Sequence, residues 1–162
     1  MADDAPTYFI TIRAYGTWLH GDERGSMDPA HNAYDSPPLA PDVELENIRA
    51  SRLKHPPVVF DAPKRIVLRE AIETTCQYRA WNLIALSVRT NHVHMVLEAA
   101  ETPERVMNIL KSWATRAMVG RGVLPRGVKA WSRHGSTKYL WTEEQVGRAY
   151  DYVIHGQGDA LD

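Results

Sequence analysis

The stretch Trp81-Asn-Leu-Ile-Ala-Leu-Ser-Val-Arg-Thr-Asn-His-Val-His-Met-Val-Leu-Glu98 decides the fold. It holds two apolar runs of strand length, residues 81–88 and 92–98, both rich in aliphatic residues. The short segment Arg89-Thr90-Asn91 separates them, and two strands joined so closely pair antiparallel. The stretch therefore predicts an antiparallel hairpin near the middle of the chain.

Helical spacing of apolar residues predicts a helix on each side of this hairpin. The first covers residues 62–80, with Asp61 as N-cap and Pro63 in its first turn. The second begins at Thr102-Pro103, a cap followed by a first-turn proline, and ends near Gly120.

Further strands and a last helix complete the order of elements. Residues 8–12 predict a first strand, and residues 128–132 and 138–141 predict two more around a turn at Gly135-Ser136. Thr142-Glu-Glu-Gln145 is a capping box that opens a last helix, which ends near Gly156. The order β-α-β-β-α-β is ferredoxin-like. We therefore predict an α+β fold, with helices on one face of an antiparallel sheet and an additional C-terminal helix.

Residues 14–60 follow a different pattern, because they are rich in glycine, proline and acidic side chains. They predict a long irregular insertion with a short helix near residues 42–53. A loop of this length in a compact domain is usually functional or mobile. We expect one domain over residues 1–162, interrupted by this insertion at about 14–60.

Composition limits the classes of function. One cysteine, Cys76, excludes an intrachain disulfide framework and a cysteine-rich zinc site. No apolar run reaches the ~18 residues that a membrane span needs, and the N-terminus lacks a signal-peptide pattern, so we expect a cytoplasmic protein with no membrane contact. The net charge of −1 argues against nucleic-acid binding. Residues 51–150, however, carry 16 basic and 8 acidic side chains, so a polyanion partner fits if the bases share a face.

His92-Val93-His94 is the sharpest chemical signal in the chain. Alternate residues of a strand point to one face, so the two imidazoles project together and Val93 points away. Two neutral imidazoles on a rigid strand are good ligands for a divalent metal. The alternative is a pair of histidines on a half-exposed sheet that binds no metal.

The last helix offers a nucleophile and a third ligand. At about 100° per residue, one apolar stripe is formed by Val146, Ala149, Tyr150, Val153 and Ile154, which makes Tyr150 a core residue. Tyr152 lies roughly 130° from that stripe and is either available for chemistry or an ordinary surface tyrosine. His155 lies one turn beyond Tyr152, and Gln157 follows Gly156 at or past the helix end; either side chain could complete a metal site.

These residues resemble the single-tyrosine HUH transposases, which comprise insertion-sequence enzymes and REP-associated tyrosine transposases. The family hallmark is His-hydrophobic-His on a central strand and one tyrosine on a C-terminal helix, here residues 92–94 and Tyr152. Three stretches are also similar to a bacterial subgroup: Tyr15-Gly-Thr-Trp-Leu-His-Gly-Asp-Glu-Arg-Gly25, Arg133-His-Gly-Ser-Thr-Lys-Tyr-Leu-Trp141 and Tyr152-Val-Ile-His-Gly-Gln-Gly158. The resemblance covers most of the chain, and the fold it implies is also ferredoxin-like.

The resemblance implies a metal-dependent endonuclease and transposase that cuts and rejoins single-stranded DNA, at hairpin-bearing ends, through a 5′-phosphotyrosine at Tyr152. His92, His94 and a third ligand would hold Mg²⁺ or Mn²⁺. In the family a Gln or Asn follows the tyrosine by four residues, where this chain has Gly156. Gln157 is the preferred third ligand and His155 the second choice. The implied partner is hairpin-forming single-stranded DNA, and a homodimer is one arrangement found in the family.

Basic and aromatic residues near these motifs are candidate DNA contacts. Phosphate binding suits the basic side chains, and Trp131 and His134 could stack on unpaired bases, with core packing as the alternative for Trp131. The candidates are Arg89, Asn91, Lys111, Arg116, Lys129, Trp131, Arg133, His134 and Lys138. Two other functions stay open: a domesticated relative that nicks and rejoins particular hairpins, and a non-catalytic nucleic-acid-binding module of the same fold.

Overall fold

A computed structural model describes residues 4–17 and 56–156 of the chain. These residues form four strands and three helices. In chain order they are β1 (Thr7–Ala14), α1 (Ala62–Tyr78), β2 (Asn82–Val88), β3 (His92–Glu98), α2 (Pro103–Gly120), β4 (Trp131–Leu140) and α3 (Glu143–His155).

The strands form one antiparallel sheet in the order β2-β3-β1-β4. β1 and β3 are the two central strands, and the predicted hairpin is the pair β2 and β3. The α+β, ferredoxin-like prediction is confirmed, including the C-terminal helix.

The helices begin where the sequence predicts, because each cap residue accepts a hydrogen bond from the first turn. The side chain of Asp61 accepts from the Lys64 backbone N–H at 3.1 Å, and that of Thr142 accepts from the Gln145 N–H at 3.1 Å. Gln145 Oε1 in turn accepts from the Trp141 N–H at 2.6 Å. Such caps satisfy backbone donors that the helix itself leaves unpaired, so they fix the first residue of α1 and α3.

The sheet separates two cores. Helices α1 and α2 cover one face over the larger core, which takes Tyr8, Ile10 and Ile12 from β1. Helix α3 covers the opposite face, where a second core consists of Phe9, Ala85, Val96, Leu140, Ala149 and Val153. Alternate residues of β1 and β3 therefore point either into the larger core or towards α3.

One strand prediction is wrong. Residues 131–140 form the single strand β4, and Gly135 pairs with Ile12 of β1 instead of making a turn with Ser136. A Cβ at position 135 would lie 2.5 Å from Met107 Sδ and 2.5 Å from the Thr11 carbonyl oxygen. The glycine is therefore required by the close approach of α2 to the sheet, which a local sequence pattern does not reveal.

Most of the predicted insertion at 14–60, with its short helix near 42–53, lies outside the described residues. The two described flanks lie side by side. The Val58 N–H donates to the Tyr15 carbonyl at 2.9 Å, and the Phe60 N–H donates to the Thr90 carbonyl at 2.6 Å. Val58 and Phe60 are both buried in the larger core, so the chain leaves and re-enters this core at neighbouring points.

The apolar stripe of α3 is narrower than predicted. Ala149 and Val153 are buried, whereas Tyr150 is 39% exposed and Ile154 is 41% exposed. The prediction of Tyr150 as a core residue is wrong, because α3 packs on the sheet through its central row and leaves the flanking positions in solvent. No helix in residues 4–17 and 56–156 has the length and apolar character needed to cross a membrane.

Candidate active site

The two histidines of β3 lie together on the face that α3 covers. Val93 and Met95 point into the larger core, so His92 and His94 point to the other side, as alternation predicts. Their ring centroids are 4.4 Å apart. His94 is buried at 4% exposure, and His92 is half-buried nearer the strand end.

Hydrogen bonds hold both rings through Nδ1. Nδ1 of His92 is 2.6 Å from Asn91 Oδ1, and because a carbonyl oxygen can only accept, Nδ1 of this ring is the donor. Nδ1 of His94 is 2.7 Å from Thr11 Oγ1, which can accept in the same way. In these tautomers Nε2 of each neutral ring keeps its lone pair.

The surroundings of His94 keep its imidazole neutral, which is the form that binds a metal. Burial lowers its pKa well below 6.5, and electrostatic interactions with His92, Arg13 and Arg89 lower the pKa further. Nε2 of His94 is buried and has no hydrogen-bond partner in the described part of the chain. A buried nitrogen of this kind with a lone pair matches what an imidazole ligand needs.

Tyr152 lies over this pair. Its ring centroid is 5.4 Å from that of His94 and 5.9 Å from that of Phe9, with the rings edge to face. Ala149 and Val153 fix the position of α3 on the second core, and the Tyr152 side chain stays 41% exposed beside it. Nucleophile candidate and histidines thus meet within one chain, with the tyrosine open to solvent.

The third metal ligand is not among the residues brought together. Gln157 lies outside the described residues. His155 is exposed at the end of α3, about 4.5 Å farther along the helix axis than Tyr152. Across residues 4–17 and 56–156, no three or more His, Cys, Asp or Glu side chains form a group that could hold a metal. The second-choice ligand His155 therefore does not join the histidine pair in this arrangement.

Two residues of β1 that the sequence did not predict as site residues lie beside the histidines. Thr11 pairs with His94 and Arg13 pairs with His92, so both side chains project to the same face as the histidines. Burial lowers the pKa of the Arg13 guanidinium, and the nearby Tyr152 partly offsets this shift. Thr11 and Arg13 alternate along the strand, but the predicted strand ends at residue 12, and only the pairing with β3 brings both side chains beside the histidines.

Several predicted DNA contacts lie near the Arg13 end of β1. Lys111 donates from Nζ to the Ser132 carbonyl at 3.0 Å, and burial together with the charges of Lys129 and Arg13 lowers its pKa. Lys129 Nζ is 5.3 Å from the Tyr15 ring centroid. Arg89 acts electrostatically on His94, so these basic side chains surround one end of the site.

The remaining candidates are spread over the molecule. Lys138 pairs with Phe9 and therefore points towards the α3 face, and Arg133 and His134 are exposed on β4. Arg116 lies 5.2 Å from the ring centroid of the exposed Trp113, on α2, which covers the opposite face of the sheet.

Trp131 belongs to the larger core. It is 7% exposed, and its Nε1 donates to the Lys111 carbonyl at 3.2 Å and to Thr115 Oγ1 at 3.0 Å. Its ring also packs against Phe60 at 5.2 Å. The prediction of base stacking on Trp131 is therefore wrong, because the ring is buried and its Nε1–H is already hydrogen-bonded within the protein.

Comparison with known proteins agrees with this arrangement. Residues 52–143 match a family model described as transposase, IS200-like; the match includes both histidines and stops before Tyr152. Among solved structures, a REP-associated tyrosine transposase bound to a REP hairpin has 14% identity and a TM-score of 0.54, over 93% of this chain and 65% of the other. The chain thus spans 65% of the length of that protein, and the likeness concerns the fold. A transposase-like protein from Deinococcus radiodurans R1 has 14% identity and a TM-score of 0.45, over 95% of this chain and 92% of the other. No curated protein sequence matches the chain.

Proposed function

The chain belongs to the IS200-like transposase family, and from this premise we propose that it cuts and rejoins single-stranded DNA through a covalent bond to Tyr152. The observation that carries the proposal is that the Tyr152 ring lies 5.4 Å from that of His94, which in turn lies 4.4 Å from that of His92, in one chain. A partly exposed tyrosine beside two oriented imidazoles places a nucleophile next to groups that can hold a cation.

In the proposed reaction the Tyr152 hydroxyl oxygen attacks the phosphorus of a phosphodiester in line. A bond forms between the tyrosine oxygen and phosphorus, and the bond from phosphorus to the 3′-oxygen breaks. The tyrosine gives up its proton and the leaving oxygen gains one, so the products are a 5′-phosphotyrosine and a free 3′-hydroxyl. Because the phosphotyrosine keeps the energy of the broken bond, another 3′-hydroxyl can reverse the step and join strands.

His92 and His94 fit the Mg²⁺ or Mn²⁺ that the family resemblance implies, with Gln157 as the proposed third ligand. The fit rests on the neutral, buried His94, whose Nε2 has no hydrogen-bond partner in the described part of the chain. Thr11 and Asn91 orient the two rings through Nδ1. When bound, the metal would act as a Lewis acid that stabilises charge on the phosphate oxygens.

The proposed substrate is single-stranded DNA with a hairpin. The REP-associated transposase of similar fold is bound to a REP hairpin, which supports this choice of probe. The positive side chains that act on His94, Arg13 and Arg89, suit a phosphate backbone. A homodimer is not needed to bring Tyr152 to the histidines, since all three lie in one chain.

The test uses a pool of end-labelled single strands with randomised hairpin stems and flanks, incubated with the protein and Mn²⁺. Covalent adducts are captured under denaturing conditions and their DNA is sequenced. We expect an adduct with the wild type and none with Tyr152→Phe. Tyr150→Phe is the matched control, because Tyr150 lies on the same helix with similar exposure, and it should form the adduct normally. An adduct that persists in Tyr152→Phe would contradict the nucleophile assignment. No adduct from the whole pool would favour a non-catalytic binding module.

A further inference from the structure

We propose that Arg13 binds the phosphate at which the strand is cut and acts as a catalytic residue. The inference rests on the function proposed above, because it names a further group for the same reaction. It starts from the register of β1, not from the histidine motif.

The register places Arg13 on the reacting face. Arg13 lies directly opposite His92, as Thr11 lies opposite His94. Directly opposed residues of antiparallel strands have Cβ atoms about 4.5–5.5 Å apart and project to the same side. Ile12 and Ala14, the neighbours of Arg13, are buried in the larger core on the other side. The guanidinium therefore lies on the face that holds both histidines and Tyr152.

The electrostatics of this face point to an anion. Arg13 acts on both His94 and Tyr152, so its charge lies within range of the ligand pair and of the nucleophile. The two permanently charged side chains that act on His94, Arg13 and Arg89, are both positive. Burial removes part of the hydration of the Arg13 guanidinium, and an anion bound beside it would offset that loss.

A phosphodiester is the anion with the matching shape. A guanidinium offers a planar fork of N–H donors that fits two oxygens of one phosphate group. Held there, Arg13 would donate to the non-bridging oxygens while Tyr152 attacks, and would stabilise the negative charge that increases on them.

The experiment measures binding separately from cleavage. The wild type first selects an oligonucleotide and defines its cut position. Tyr152→Phe protein, which cannot form the adduct, is then titrated with this DNA carrying either the natural phosphodiester or a neutral methylphosphonate at the cut position. Affinity is measured by fluorescence anisotropy for Tyr152→Phe alone and for Tyr152→Phe combined with Arg13→Gln or with Arg13→Lys. Arg69→Gln is the control for general loss of charge, because Arg69 is exposed on α1 and pairs with Glu73.

We expect Arg13→Gln to weaken binding of the phosphodiester about ten- to hundredfold. It should change binding of the methylphosphonate strand less than about twofold. Arg13→Lys should fall between wild type and Arg13→Gln, and Arg69→Gln should behave as wild type with both strands. Equal losses on both strands, or no loss on the phosphodiester, would overturn the role of Arg13.

Thermal unfolding shows whether each Arg13 variant is folded. If Arg13→Gln does not fold, the comparison of the two strands is made with Arg13→Lys alone. A wild type that forms no Tyr152-dependent adduct would instead reject the proposed function, so the two failures are distinguishable.

Discussion

Replacing Thr11 by valine should weaken metal binding while the protein stays folded. Thr11 Oγ1 lies 2.7 Å from His94 Nδ1, and the two side chains are only 3% and 4% exposed. Valine keeps the shape of threonine and removes the hydroxyl. The His94 Nδ1–H then loses its acceptor, which costs about 1–3 kcal/mol for a buried group. The ring also loses the contact that fixes its tautomer, and such a loss typically lowers metal affinity about 10–100-fold.

The assay is a Mn²⁺ titration followed by electron paramagnetic resonance of the free ion, with urea unfolding of the same proteins. Thr11→Ser is the matched control, because it keeps the hydroxyl and loses a methyl group. We expect Thr11→Ser to bind Mn²⁺ close to the wild-type level and Thr11→Val to bind it at least about tenfold more weakly. If the valine and serine variants bind Mn²⁺ equally, the hydroxyl does not orient His94 and the reasoning is refuted.

Three further results are expected. Gly135→Ala should lower the free energy of unfolding in urea by about 1–3 kcal/mol, since its Cβ would lie 2.5 Å from Met107 Sδ. Gly147→Ala is the control, because there is open space around its Cβ, and it should not lower this free energy. Equal effects of the two substitutions would contradict the close packing at Gly135. Below pH 6.5 the unfolded chain binds a proton at His94 that the folded protein does not. The free energy of unfolding should therefore decrease as the pH is lowered, by up to about 1.4 kcal/mol per pH unit, until the lowered pKa of His94 is reached. His94→Asn should remove this part of the slope, and an unchanged slope would show that His94 is not its source. A mixture of Tyr152→Phe and His94→Asn proteins should form no DNA adduct, because Tyr152 lies against His94 of its own chain; a restored adduct would show that the tyrosine serves a second chain.

The elements that local sequence controls could be predicted. The hairpin of β2 and β3 follows from two apolar runs and a three-residue connection, and the starts of α1 and α3 follow from Asp61 and Thr142. The shared face of His92 and His94 follows from strand alternation. In each case the residues that determine the structure lie within a few positions of the element they determine, so the local sequence pattern is enough to predict it.

The features that depend on distant contacts could not be predicted. Gly135 resembles a turn residue in the sequence. A larger side chain is excluded at this position by Met107, which lies on α2 and not near it in the sequence. The sequence does not decide between core packing and base stacking for Trp131, because the hydrogen bonds that hold it in the core go to residues of α2. Thr11 and Arg13 acquire a role only through the register of β1 against β3, which sequence spacing does not define.

The alternation of side chains along strand β1 couples the stability of the fold to the arrangement of the candidate site. Its residues alternate between the larger core, which receives Ile10 and Ile12, and the reacting face, which receives Thr11 and Arg13. A slip of one residue against β3 would exchange the two sets, placing a guanidinium in the core and isoleucine among the histidines. Because such a misfolded sheet loses its apolar burial, a molecule that reaches the stable fold has, by the same step, aligned Thr11 and Arg13 with the histidines.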